Sequence, residues 1–200
     1  MLTFFFAPGS SSMAVHIALH EVGVSFVSRP LSFAKGEQRT PEFLALNPEG
    51  KVPTLVIDGG PLTEVAAILF YLAKRYPKAG LLPPDLETEA ESISWMSFIA
   101  STIHPARTRG LEHANKVYGI ADRRLGAAEW ALGAYSIADI HLFRLFWRFA
   151  NGVKPERSAF PNLWRHYDQM MLRPAVQRTI DIESAIGYEL SDWFPEKTKT

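Results

Sequence analysis

KVPTLVIDGGPLT, Lys51 to Thr63, reads as two short strands joined by a tight turn. Val52 to Ile57 carry the apolar, β-branched character of a strand. Asp58-Gly59-Gly60 supply residues that tolerate the positive φ of a hairpin turn, and Leu62-Thr63 begin the return. A turn this short leaves no room for a crossover helix, so the pair is antiparallel. Moving toward the N-terminus, Leu2, Phe4 and Phe6 alternate with Thr3 and Phe5, so LTFFFA is a largely buried strand ended by Pro8 and Gly9. Val15, Ala18, Leu19 and Val22 then fall at helical spacing up to Gly23. Val24 to Leu31 is a second strand, with Pro30 at its end or at a sheet edge. A polar loop, FAKGEQRT, leads to a short helix at Pro41 to Leu46. Past the hairpin, Glu64 to Tyr76 forms the next helix, with Val65, Ile68, Leu69 and Leu72 on one face. A strand–helix–strand unit followed by a hairpin implies a mixed sheet in a small α/β domain.

KAGLLPPDLE, with its Pro-Pro step, is the best linker in the chain. Beyond it the period is helical throughout: Ala90 to His104, Ala121 to Leu132, Ala138 to Asn151, Asn162 to Leu172 and, after Pro174, Ala175 to Ile186. The expected division is residues 1–78 as an α/β domain and 85–200 as an all-helical one. With 47% apolar and 21% charged residues among 200, the chain has the makeup of a soluble globular protein. Lys plus Arg equals Asp plus Glu, so no long-range field draws it to nucleic acid. The apolar N-terminus lacks a basic leader and is broken by position 9, and no run is long enough to span a bilayer, so no membrane partner is expected and the default compartment is the cytoplasm. There is no cysteine, which removes disulfides, thiolate metal sites and a protein thiol nucleophile. The histidines show no repeat of ligand spacing with carboxylates, so no metal site is expected.

Three places could carry chemistry. Ser10-Ser11-Ser12 stand immediately before the first helix, either as a cap or as hydroxyls facing a ligand. Pro53 sits at the mouth of a strand: a cis Val52-Pro53 bond would turn the Val52 backbone toward an extended ligand, and a trans proline at an edge strand is the plain alternative. Thr63-Glu64-Val65 joins a strand to a helix start, whose free N–H groups suit a carboxylate while Glu64 suits an ammonium. The plain alternative there is Thr63 as cap and Glu64 complementing the dipole. Ser136-Ile137-Ala138-Asp139 reads as a capping box, structural in purpose.

The blocks HIALHEVGVSF, FLALNPEGKVPTL, LTEVAAILFYLAKRYP and AYSIADIHLF, in this order and preceded by a Pro-Gly-Ser turn, resemble the glutathione S-transferase family over nearly the whole chain. The bacterial beta-class-like group looks nearest, with serine at its catalytic cysteine position. The resemblance implies a thioredoxin-like N-terminal domain, an all-α C-terminal domain, a homodimer, and glutathione as co-substrate. It implies a cis Pro53, the glycyl carboxylate near Lys35, the cysteinyl backbone on Val52, and the γ-glutamyl head on Glu64 and the Val65 N–H. Ser11 aligns with the catalytic position, with Ser10 or Ser12 replacing it if the loop slips by one. His104 keeps its place in the block SWMSFIASTIHPAR, where the resemblance implies a glutathione contact, and Phe6, Met13, His104, Arg107 and Trp147 are the implied electrophile-pocket residues. Three departures stand out. Val65 replaces a serine or glycine, Ser97 replaces an asparagine, and the stretch from His104 to Leu125 is short, implying truncated pocket helices. Two functions compete: a glutathione transferase attacking a hydrophobic electrophile (detoxification by conjugation, dehalogenation or isomerisation), and a catalytically weak interaction scaffold of the same fold.

Overall fold

The computed structural model describes residues 1–190. Two compact units divide them: Met1–Leu82 with Leu172–Leu190, and the helical stretch from Pro83 to Met171.

In the first unit, β1 (Leu2–Phe6), α1 (Ser12–Val22), β2 (Phe26–Pro30), α2 (Pro41–Leu46), β3 (Thr54–Ile57), β4 (Gly60–Thr63) and α3 (Val65–Arg75) follow in order. The sheet runs β2-β1-β3-β4, with β1 and β2 parallel and both other pairings antiparallel. This is the mixed sheet expected from the hairpin, and the thioredoxin-like arrangement that the resemblance implies. Asp58 and Gly59 take φ of 48° and 94°, the conformation a two-residue turn needs. The alternation of LTFFFA sorts its rings between two layers. Phe4 and Phe6 are fully buried and meet His16 of α1, while Phe5 turns the other way onto Phe43 of α2. β2 is shorter than the expected Val24–Leu31, and Pro30 closes it opposite Phe6 on the outer strand, where a missing N–H leaves no ladder bond unmade.

α9 (Pro174–Ile186) packs on α1. Although the division at residue 85 assigns this helix to the all-helical domain, its contacts place it in the first unit. Arg173 grips Glu21 through two bonds of 2.7 and 3.0 Å, and α9 buries Ala175, Val176, Thr179 and Glu183.

The second unit contains α4 (Leu86–Phe98), which continues through a π-helical turn, Ile99–Ile103, into α5 (His104–Ala106). α6 (Leu111–Leu125), α7 (Ile137–Val153) and α8 (Pro161–Met171) complete it among the described residues. Tyr118 stacks on Phe149 at 4.2 Å in its core and donates to the Leu145 carbonyl at 2.9 Å. The helix expected over Ala121–Leu132 lies instead at Leu111–Leu125, because Gly126 at φ 57° ends it. α6 itself spans fifteen residues. Asp122 of α6 accepts from the Asn162 and Leu163 N–H groups at 2.8 and 2.9 Å, capping α8 from outside.

The capping box at the start of α7 is present. The Asp139 carboxylate, fully buried, accepts from the Ser136 and Ala131 backbone N–H groups and pairs with His166 Nε2 at 3.0 Å. Ser136→Ala removes the hydroxyl that accepts the Ala138 N–H. It is expected to lower stability by about 1 kcal/mol, read as a reduced urea midpoint at unchanged slope.

Candidate functional site

The site is built where α1, β3 and α3 begin. The three serines at the first of these have different duties. Ser12 Oγ is fully buried, donates to the Ala7 carbonyl at 3.1 Å and accepts the Ala7 N–H at 3.2 Å. Ser10 Oγ lies 2.6 Å from Ser12 Oγ and accepts the Ser12 N–H at 3.2 Å, so Ser10 is the hydroxyl that caps the helix. Both are consumed in tying the turn to β1. Ser11 occupies the N-cap position but makes no side-chain cap bond. It is half-buried, and its hydroxyl points to the Val52 carbonyl across a long 3.4 Å. A bond that long is weak, so this hydroxyl can turn to a better acceptor.

Val52-Pro53 is cis, which settles the alternatives left open above. Val52 and Pro53 precede the first ladder residue, Thr54. Buried Asn47 fixes the segment: its Nδ2 donates to the Lys51 carbonyl at 2.8 Å and to Thr54 Oγ1 at 3.3 Å, and its Oδ1 accepts the Glu49 N–H at 3.1 Å. Thr54 is paired with Thr63 at the end of the ladder, and the Glu64 charge acts on Lys51.

Glu64 precedes α3 at φ 70° and ψ 123°, exposed and with no side-chain cap bond. Thr63 is therefore not the cap. A non-glycine residue held there costs about 1–3 kcal/mol, and such strain clusters at ligand sites. The outcome is an uncapped helix start with a carboxylate beside it. Val65, the first residue of α3, is buried.

The PGS turn carries a feature with no signal in the sequence. Glu183 of α9, fully buried, accepts the Gly9 N–H at 2.6 Å through one oxygen and pairs with His16 Nδ1 at 2.8 Å through the other. Gly9 is at φ 69°, so a remote helix pins the residue two places before Ser11.

The remaining predicted residues divide. Lys35 is exposed on the loop after β2. Phe6 and Met13, expected to line an electrophile pocket, are fully buried and pack as core of the first unit, because α1 lays its apolar face directly on β1. In the second unit His104 is exposed, Arg107 half-buried and Trp147 buried. His104 lies close enough to fully buried His141 to act on it. Desolvation first, then the charges of His104 and Arg144, holds the His141 pKa down to about 3. Among the described residues no cluster of three or more His, Cys, Asp or Glu could hold a metal ion, and no helix is long and apolar enough to cross a membrane.

Comparison with known proteins bears on this geometry. Residues 1–74 match the family described as glutathione S-transferase, N-terminal domain. Glutathione S-transferase GstA of Escherichia coli O157:H7 is 30% identical over 196 residues, covering 90% of this chain and 97% of that protein. A glutathione transferase homologue from Sulfitobacter, solved with bound glutathione, has a TM-score of 0.80 at 32% identity, covering 91% of this chain and 98% of the other. The bacterial beta-class enzyme of Sphingomonas chungbukensis has a TM-score of 0.78 at 35% identity, covering 90% and 98%. With a mixed four-stranded sheet, a cis proline ahead of β3, an uncapped start to α3 and relatives of this extent, the chain belongs to the glutathione S-transferase family.

Proposed function

We propose that the protein is a glutathione transferase of the beta-class-like group in which Ser11 holds the thiolate. One observation carries this. Of three adjacent hydroxyls, Ser10 and Ser12 are bound up in the turn, and Ser11 alone faces Val52 with only a weak bond to lose. The Sulfitobacter relative's bound glutathione supports the ligand. In this reading the cysteinyl backbone pairs with Val52 beside cis Pro53. The γ-glutamyl ammonium meets Glu64, its carboxylate meets the Val65 N–H, and the glycyl carboxylate approaches Lys35. Val65 adds no side-chain contact of its own. By family resemblance we assign His104 to glutathione and Arg107 to the electrophile.

The energetics are sufficient. A free thiol near pKa 8.5 needs a shift of about two units, or about 2.7 kcal/mol, to be mostly ionised at neutral pH. A hydroxyl donating to the charged sulfur supplies about 1.5–3 kcal/mol, and the start of α1 adds about 0.3–1 kcal/mol. The thiol proton leaves to solvent, and the sulfur lone pair attacks an electrophilic carbon. The leaving group departs with its bonding pair, or the electrons move into a conjugated acceptor. Serine forms no covalent bond.

We further infer a homodimer in which α4, with Leu86 and Ile93 exposed, takes part; light scattering tests it. For the main reading, the protein is expected to be retained on immobilised glutathione, to melt at a higher temperature with glutathione, and to conjugate a general aryl halide. Retention without turnover on any electrophile would favour the scaffold. Absence of both retention and a melting shift at saturating glutathione would overturn the assignment.

A further inference from the structure

Past Gly187, which ends α9 at φ 104°, residues 188–190 stay with the first unit. Tyr188 and Leu190 lie against the PGS turn. A Cβ built on Gly9 would come within 2.8 Å of a ring carbon of Tyr188 and a methyl of Leu190, so position 9 needs glycine for space as well as for its φ. Between them, Glu189 reaches the loop after β2. One carboxylate oxygen accepts from the Ser32 hydroxyl at 2.7 Å and the other from the Ala34 N–H at 2.9 Å. The Lys35 N–H donates to the same Ser32 hydroxyl at 3.1 Å, and the Lys35 charge acts on Glu189. The loop thus offers a hydroxyl, an amide and a cation to a carboxylate, and a carboxylate from the chain's own C-terminal segment fills the place.

We propose that Tyr188-Glu189-Leu190 is an internal strap whose Glu189 occupies the seat at Ser32, Ala34 and Lys35 that the glycyl carboxylate of glutathione takes, so that ligand and strap compete. The proposal rests on the glutathione reading above. The Ala34 N–H first, then the Ser32 hydroxyl, hold the Glu189 carboxyl below the usual range, so the seat favours a charged carboxylate. All the groups involved are exposed or half-buried, so the bonds are individually weak and exchange is inexpensive. Tethering compensates, since a short flexible connection gives an attached group an effective concentration in the millimolar range. Such a competitor raises the apparent dissociation constant of glutathione without closing the groove. Leu190 and Tyr188 add apolar contact that holds the strap in register over Gly9.

The test is calorimetric titration of the full chain and of Glu189→Ala and Glu189→Gln with glutathione and with its glycyl monoethyl ester. Glu189→Ala is expected to bind glutathione about threefold to tenfold more tightly, with Glu189→Gln gaining less. The ester, whose glycyl carboxylate is masked, should bind all three proteins alike. Unchanged or weaker glutathione binding in Glu189→Ala, with wild-type binding intact, removes the strap and leaves the groove reading standing. An equal gain for the ester places the effect elsewhere and also overturns the proposal. Binding of glutathione to none of the three removes the groove reading and the strap with it.

Discussion

Replacing Ser11 with alanine is expected to raise the pKa of the bound glutathione thiol by about one to two units. The direction follows from the proposed role: a hydroxyl that donates to the charged sulfur gives less to the neutral thiol, so its loss would disfavour ionisation. At neutral pH the thiolate fraction falls, and kcat/KM for an aryl halide should drop about threefold to twenty-five-fold. At a pH well above the new pKa most of that loss should be recovered, because alanine removes a stabilising donor and leaves the groove intact. The ultraviolet absorbance of the thiolate, titrated against pH in the two proteins, reads the shift directly. Ser10→Ala separates the roles. Its hydroxyl accepts the Ser12 N–H, so it should cost about 1 kcal/mol of stability and leave the thiol pKa where it was. A thiol pKa that does not move in Ser11→Ala would remove Ser11 from the chemistry.

How much of this could be read beforehand depends on how local each feature is. The hairpin was legible because Asp58-Gly59-Gly60 admits few other conformations and the flanking residues alternate. The first strand was legible because a period of two in LTFFFA leaves only the choice of which face meets which layer. α6 was misplaced. Trp130, Ala131 and Leu132 extend the apolar pattern past Gly126, whereas the turn before Ala121 is written with Asn115, Lys116 and Gly119. Only packing shows that Ala114, Val117 and Tyr118 form the buried stripe. The candidate site was half legible. Ser11, Val52 and Glu64 stand at element boundaries that turn chemistry marks. The division of labour among three identical side chains was not, because it depends on which hydroxyl the Ala7 backbone reaches. Phe6 and Met13 misled for the usual reason: an apolar residue next to a site is apolar whether it faces a ligand or the core. Glu183 and Glu189 were out of reach. Their partners lie more than 150 residues away, and nothing about a glutamate near a chain end announces a buried turn or a loop carboxylate seat.

Glu183→Ala is expected to be the most damaging single change in the first unit. The change removes two bonds at once, to the Gly9 N–H and to His16 Nδ1, and both Glu183 and His16 are buried. Breaking a buried pair by removing one member costs about 3–5 kcal/mol. For a chain of this length that is a fall of about 6–20 °C in melting temperature. Glu183→Gln keeps an acceptor for Gly9 and should lose less, while His16→Ala should reverse part of the Glu183→Ala loss when the two are combined. A double-mutant cycle should therefore show coupling of at least about 1 kcal/mol. The position of Gly9 gives the change a functional signature distinct from that of Ser11→Ala. Freeing the turn loosens Ser10 and Ser11 together, so glutathione binding should weaken in Glu183→Ala, while a hydroxyl remains to lower the thiol pKa once ligand is bound. Stability and KM move with Glu183, and thiol pKa and kcat with Ser11. A Glu183→Ala protein that melts within about 2 °C of wild type would mean that the turn holds its shape without α9.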